Sequence, residues 1–333
     1  MKSLTLFLLL LMIAATGCID SETPTGPPHK LTIAEISQPS AALVYVADAR
    51  GYLRQAGLDV TFKSFPLGKD ALNSVLAGEA DVATVFQTPV VMRIYEGKAL
   101  GIVSSIFAST RNTKLVARVD RGIATPADLA GKRIGITKGT TTEYFLSVFL
   151  ATEGIPRDSV VSVAVDPSDY DQALLQGTVD ALVLFSPHST RIINALGTNA
   201  TVLYSDAYSD MAMLVGMRQN ITARHETLTR LMKALAKAED YIKNNREDSI
   251  RIVVARLAGK AEAAEIRDGW DDFNFNVRLD NALFASMRRE AQWYRDHGKY
   301  PDAIPDFGNA LATAPLRAAR PQAVTVQTAA MRQ

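Results

Sequence analysis

Apolar residues recur along this chain at two spacings, and the switches between them mark its elements. Short apolar or alternating runs predict strands at Leu31–Ile36, Val60–Phe65, Val82–Phe86 and Gly101–Phe107. Helical spacing predicts helices between them, over Ala41–Tyr52, over Lys69–Ala77 and from Thr88-Pro89 to Tyr95. The pattern restarts after Leu115–Arg118. A short capped helix at Thr125–Leu129 leads to a strand at Arg133–Thr137 and a helix beyond Thr140. Then come a strand at Val160–Val165, a helix at Tyr170–Leu175, a strand at Asp180–Phe185 and a helix from Ser186-Pro187-His188 to Leu196. Short strands at Val202–Tyr204 and Met213–Met217 close this block. From Ile221 the spacing is only helical, with Leu228, Leu231, Leu235, Ala238 and Ile242 on one stripe. Further helices are expected near 247–257, 261–273 and 280–297. Strand–helix alternation of this kind predicts an α/β fold of two lobes, each a mainly parallel sheet flanked by helices.

The ends read differently. Lys2 precedes an apolar run from Leu4 to Ala15, too short to span a bilayer, and small residues follow it. Residues 1–17 are therefore expected to be a signal peptide. Residues 18–29 are polar and rich in Pro and Thr, the composition of an extended tether. Residues 316–333 are rich in Ala, Arg and Gln without periodicity, and predict a disordered tail.

Composition narrows the function. The 333 residues are 47% hydrophobic and 21% charged, enough for one large or two medium cores. Lys and Arg number 36 against 35 Asp and Glu, with no basic block, so nucleic acid is not an expected partner. Cys18 is the only cysteine, and the four histidines, His29, His188, His225 and His297, are far apart. Neither a zinc pattern nor a thiol nucleophile can be built from these, and no Ser–His–Asp set or carboxylate pair stands out. No catalytic residue, metal or cofactor is expected.

One stretch concentrates polar chemistry. Gly139 breaks the strand pattern, Thr140, Thr141 and Thr142 follow, and Glu143 precedes the apolar helix run. Hydroxyls at a helix start either cap its free N–H groups or, with the positive end of the helix dipole, bind an anionic group. The sequence leaves both readings open. It is not a phosphate-binding loop, since the Gly-Lys-Ser/Thr ending is absent.

Several stretches together resemble a known family. They are Ala47–Leu53, Ala71–Val82, Asp128–Gly135 with the turn Lys138–Thr142, and Ala173–Ala181. In this order they are similar to the periplasmic solute-binding proteins of ABC importers of the nitrate, taurine and alkanesulfonate type, over roughly residues 31–300. Ala15-Thr16-Gly17-Cys18 resembles a bacterial lipobox, which implies lipid attachment at Cys18. The resemblance implies a type II binding protein, with 30–116 plus 216–315 as the first lobe and 117–215 as the second. Crossovers near Leu115–Arg118 and Met213–Arg218 would form its hinge. It implies a lipid-anchored receptor on the periplasmic face of a bacterial membrane, or on the surface of a Gram-positive cell. Such a receptor acts as a monomer, captures a small solute and docks on a permease with its ATPase.

Loops after parallel strands meet where open α/β sheets bind ligands. That rule and the resemblance together nominate Gln38, Ser40, Gly68, Gln87, Thr88, Gly139, Thr140, Thr141, Thr142, Ser186 and His188 as ligand contacts. Lys69 and Lys138 could offset ligand charge. Phe86 and Phe185 read as core, Trp270 and Trp293 as packing residues, and Tyr208 and Asp210 as weak candidates for an amine. No arginine sits in these loops, which fits a monoanion such as a sulfonate, nitrate or taurine better than a dianion. Two other readings share the architecture: a ligand-binding sensor, and an enzyme of the thiamin-pyrimidine or menaquinone type. The former enzymes carry a cysteine cluster that this chain lacks.

Overall fold

All five residues of Val82–Phe86 are buried, the mark of a strand covered on both faces by helices. A computed structural model describes residues 26–300 and 303–327. The expected signal peptide, Cys18 and the tether up to residue 25 lie outside the described residues, as do 328–333.

The chain builds two five-stranded sheets. The first holds β1 (His29–Ile36), β2 (Leu58–Phe65), β3 (Val82–Phe86), β4 (Leu100–Ser109) and, later in the chain, β10 (Asp210–Met217), in the order β2-β1-β3-β10-β4. The second holds β5 (Lys114–Arg118), β6 (Arg133–Ile136), β7 (Val161–Ala164), β8 (Ala181–Leu184) and β9 (Ala200–Leu203), in the order β7-β6-β8-β5-β9. In each sheet one inserted strand runs antiparallel, β10 in the first and β5 in the second. The sheets are thus mixed.

Helices α1 (Ala42–Ala49), α2 (Tyr52–Gln55), α3 (Gly68–Leu76) and α4 (Gln87–Tyr95) connect the strands of the first sheet. In the second, α5 (Thr141–Thr152), α6 (Tyr170–Leu175) and α7 (His188–Leu196) do so. After β10 come α8 (Arg218–Ala223), α9 (His225–Asn244), α10 (Arg246–Leu257), α11 (Ala263–Gly269), α12 (Asn281–Asp296) and α13 (Thr313–Ala319). The stripe read in the sequence as Leu228, Leu231, Leu235, Ala238 and Ile242 is the buried face of α9, in one core with the first sheet. The second sheet has its own apolar layers, one under α5 and one under α6 and α7. Among the described residues no helix is long and apolar enough to cross a membrane.

Two expectations need correction. The crossovers are expected at Leu115–Arg118 and Met213–Arg218, but all of these residues except Arg218, which opens α8, are ladder-paired inside β5 and β10. The chain passes between lobes at 110–113 and 204–209, the short segments that separate β4 from β5 and β9 from β10. The apolar runs in β5 and β10 hid this, because a strand and a rigid crossover read alike in pattern. The second correction is the tail. Residues 316–327 are ordered: Leu316 is fully buried, Arg320 pairs with buried Glu239 at 2.8 Å, and the Val326 amide donates to Leu279. Composition suggested disorder because one short helix and single anchoring residues carry no periodicity.

The tail docks on α9, so its burial is a stability statement. Leu316→Ala should cost about 2–5 kcal/mol, read as a lower urea midpoint at unchanged slope. A cost near zero would mean that the segment does not dock in solution.

Candidate functional site

The strand ends of the two sheets face each other across a cleft. A cavity of about 20 Å³ lies there, lined by Gln38, Leu67, Gly68, Lys69, Phe86 and Pro89 from the first lobe and by Thr140, Thr141 and Phe185 from the second. That volume holds about one water. An open groove of about 380 Å³ adjoins it and shares Lys69 and Pro89. Arg93, Lys138, Gly139, Glu143 and Lys299 also line the groove, so its wall is largely cationic. Two contacts cross between lobes here: Lys69 Nζ reaches the Lys138 carbonyl at 3.5 Å, and Lys299 pairs with Glu143 at 3.4 Å. Both are partly exposed, and such pairs contribute little.

Local chemistry places each wall. Gly68 begins α3 against the sheet, where a Cβ would stand 3.2 Å from the Val85 Cα. Any side chain there would have to push its neighbours back by a few tenths of an ångström. Gln38 follows β1 and donates to the Pro66 carbonyl at 3.2 Å, tying together two loops of the first lobe. Phe86 ends β3 and Phe185 follows the last residue of β8; both face the cavity as well as the core, a double role that strand pattern alone does not reveal.

The threonine cluster divides. Gly139 makes the turn with φ +72°. Thr140 caps α5: its hydroxyl donates to the Thr137 carbonyl at 2.7 Å and accepts from the Thr142 amide. Thr142 accepts from the Thr137 amide at 2.9 Å, and Glu143 accepts from the Gly139 amide at 2.9 Å. Capping therefore consumes most of the polar groups at this helix start. Thr141 is the member whose side chain has no hydrogen bond among the described residues, and it lines the cavity.

Of the nominated residues, Gln38, Gly68, Thr140 and Thr141 meet at the cavity, and Gly139 lines the groove. The others lie behind these walls. Gln87 is fully buried, accepts from the Met211 amide at 2.8 Å and donates to the Ser209 carbonyl at 3.2 Å and to Ser286 at 3.3 Å. Thr88 donates to the buried Glu290 carboxyl. Thr142 is spent on the cap. His188 packs edge-on against Tyr170 and Phe185, at 5.4 and 5.6 Å between ring centres, and its Nδ1 is 3.2 Å from the Arg191 guanidinium. Burial, with the Arg191 charge, pulls its pKa down to about 4, so it stands neutral behind the aromatic wall. Ser40 and Ser186 are buried, their hydroxyls without a partner among the described residues, and neither lines the cavity.

Asp210 does not await an amine. It is fully buried and accepts from Asn112 Nδ2 at 2.9 Å, the Thr113 amide at 2.8 Å and the Tyr208 hydroxyl at 2.9 Å. Among the described residues no group of three or more His, Cys, Asp or Glu could hold a metal.

Comparison with known proteins follows the same outline. A family model described as NMT1/THI5 like matches residues 38–249. The taurine-binding periplasmic protein of Escherichia coli is 26% identical over 167 residues, half of each chain. The alkanesulfonate-binding protein SsuA of Xanthomonas axonopodis, solved bound to MOPS, superposes with a TM-score of 0.74 at 20% identity, over 87% of this chain and all of that one. The periplasmic nitrate-binding protein NrtA of Synechocystis gives 0.70 at 12% identity, covering 89% of each. The fold is that of the periplasmic binding proteins.

Glu290 offers a test of the packing behind the cavity. Burial raises its pKa to about 8, while the unfolded chain ionises near ~4.3. Folding therefore takes up a proton between those values, and this group makes stability fall as pH rises from about 5 to about 8. Glu290→Gln can still accept from Thr88 but cannot titrate. Its urea midpoint should hold steadier than the wild-type midpoint over that window. Parallel slopes in the two proteins would show that Glu290 is not buried as described.

Proposed function

The chain belongs to the NMT1/THI5-like family, and from that premise we propose that it is an extracytoplasmic solute-binding protein of an ABC importer. It closes its two lobes over a small polar or monoanionic solute of the sulfonate, nitrate or taurine kind. It then presents that solute to a permease and its ATPase. A lipid on Cys18 would hold it at the membrane while 18–29 gives it reach. The observation that carries this reading is a cavity built from both lobes and too small, at about 20 Å³, for any such solute. A solute can enter only if the lobes part and can be enclosed only if they return, the hinge motion of a capture protein.

The chemistry of the walls agrees. Phe86, Phe185, Leu67 and Pro89 give an apolar enclosure, and Gln38 and Thr141 supply hydrogen bonds at fixed points. The cationic groove outside, with Lys69, Arg93, Lys138 and Lys299, raises the local concentration of anions at the cleft mouth.

A melting-temperature screen against sulfonates, nitrate, taurine, bicarbonate, carboxylates, pyrimidines and flavins tests the reading. Solute at 100 times its dissociation constant should stabilise the protein by about 2.7 kcal/mol, a rise of several degrees. A solute that binds and is recovered unchanged supports capture. One that is chemically consumed would instead make this an enzyme of the same fold. Thr141→Val should weaken the solute found by about 3–10-fold, the worth of one neutral hydrogen bond. Unchanged affinity by calorimetry would remove Thr141 from the contact set.

A further inference from the structure

An apolar contact joins the two lobes beside the cavity. Leu67, in the loop between β2 and α3 of the first lobe, is buried in an apolar layer of the second, with Phe185, Tyr170 and Leu184. Phe86, from the first lobe, lines the same cavity as Phe185, and Leu67 and Pro89 complete its apolar part. The polar side chains there are Gln38, Thr140 and Thr141, all uncharged. Two of them are partly committed: Gln38 Nε2 donates to the Pro66 carbonyl at 3.2 Å, and the Thr140 hydroxyl to the Thr137 carbonyl at 2.7 Å. Among the described residues no carboxylate lines this cavity, and Lys69 is its one charged side chain.

Charge begins at the mouth. Lys69 lines both the cavity and the adjoining groove, and its Nζ lies on the groove side, 3.5 Å from the carbonyl of Lys138 in the other lobe. Of the other cations in the groove, Arg93 pairs with Glu96 at 2.5 Å and Lys299 with Glu143 at 3.4 Å. Glu143 is the one acid lining the groove among the described residues, and it also accepts from the Gly139 amide at 2.9 Å. Lys69 and Lys138 have no acidic partner among the described residues. They stand on opposite lobes, so closure brings two like charges together, and an anion between them offsets the repulsion.

We propose that the cleft takes an amphiphilic monoanion and fixes its direction: an alkyl or aryl body lies inward between Phe86 and Phe185, and the anionic group points outward to Lys69 and Lys138. The inference rests on the capture reading and narrows its solute. An apolar body takes the place of an apolar contact between the lobes at little desolvation cost. An anionic end facing inward would give up its water for walls whose polar groups are neutral. At the mouth the same group keeps part of its water and gains both lysines. A zwitterion such as taurine would bring an ammonium for which neither cavity nor groove holds an unpaired acid among the described residues. Bare nitrate has no body to fill the interior.

Calorimetry on the full chain tests this with benzenesulfonate, its uncharged analogue benzenesulfonamide, methanesulfonate and taurine, on wild type and on the double variant Lys69→Met/Lys138→Met. Wild type should bind benzenesulfonate about 10–100-fold more tightly than methanesulfonate or taurine, the worth of a buried ring. The double variant should lose about 3–10-fold for benzenesulfonate, and with it the weakening of binding by added salt, yet hold benzenesulfonamide within about twofold. Phe185→Leu should weaken both aryl solutes by a similar factor. Equal affinity for methanesulfonate and benzenesulfonate would overturn the proposal and leave capture standing. So would a lysine variant that binds benzenesulfonate as wild type does, or one that loses benzenesulfonamide equally. If the melting screen finds a solute while none of these sulfonates binds, the amphiphilic anion falls and capture remains. If nothing binds in either experiment, both fall.

Discussion

The two lobes hang on one buried carboxylate. The chain crosses between them twice, at 110–113 and 204–209, and Asp210 stands at the end of the second crossover as the first residue of β10. Its side chain reaches back to the first crossover, taking the Asn112 amide group and the Thr113 backbone N–H, and takes the Tyr208 hydroxyl from the second. A buried carboxylate is tolerated only when its lone pairs are engaged, and here three donors engage them. Burial nonetheless raises its pKa, and the hydrogen bonds from Thr113, Asn112 and Tyr208 oppose that rise. Both crossovers therefore share one anchor. Losing that carboxylate would leave the two segments joined only by their own backbones.

Gln87 extends the anchor to the cavity. It follows Phe86, a wall residue, and holds the Ser209 carbonyl and the Met211 amide on either side of Asp210. Its amide also reaches Ser286 on α12, while the neighbouring Thr88 binds Glu290 on the same helix. A wall, a crossover and the C-terminal helix are thus one hydrogen-bonded unit. Phe86 is thus one residue away from the hydrogen bonds that flank Asp210. These contacts make Gln87 and Thr88 part of the frame of the cavity, one layer behind its wall.

Much of this was legible in the sequence, because strand and helix periodicities are set by which face is buried. Val82–Phe86 and Tyr170–Leu175 are read from the chain with the same bounds that the structure gives. The loops that meet at the cleft follow from parallel-strand order, which is why the nominated residues include Gln38, Gly68 and Thr141, all of which line the cavity. What pattern could not give was side-chain direction. Thr140 and Thr142 look as available as Thr141, yet the hydrogen bonds of one turn decide which of them is free. Phe86 and Phe185 carry no periodic signal separating a core residue from a cavity wall.

Charge is distributed along the cleft with a direction. At the mouth four cationic side chains face Glu143, and Lys299 is the one that pairs with it. At the rear of the first lobe Glu290 is held neutral by burial, so it adds no negative charge at pH 7. Asp210 spends its oxygens on the crossovers. The acids nearest the cleft are thus paired, protonated or engaged, whereas Lys69 and Lys138 at the mouth have no acidic partner among the described residues. Fields of exposed lysines fade within a Debye length of roughly 8 Å in physiological salt. The charge of this cleft is therefore confined to its mouth, and Phe86, Phe185, Leu67 and Pro89 leave the interior between the lobes largely apolar.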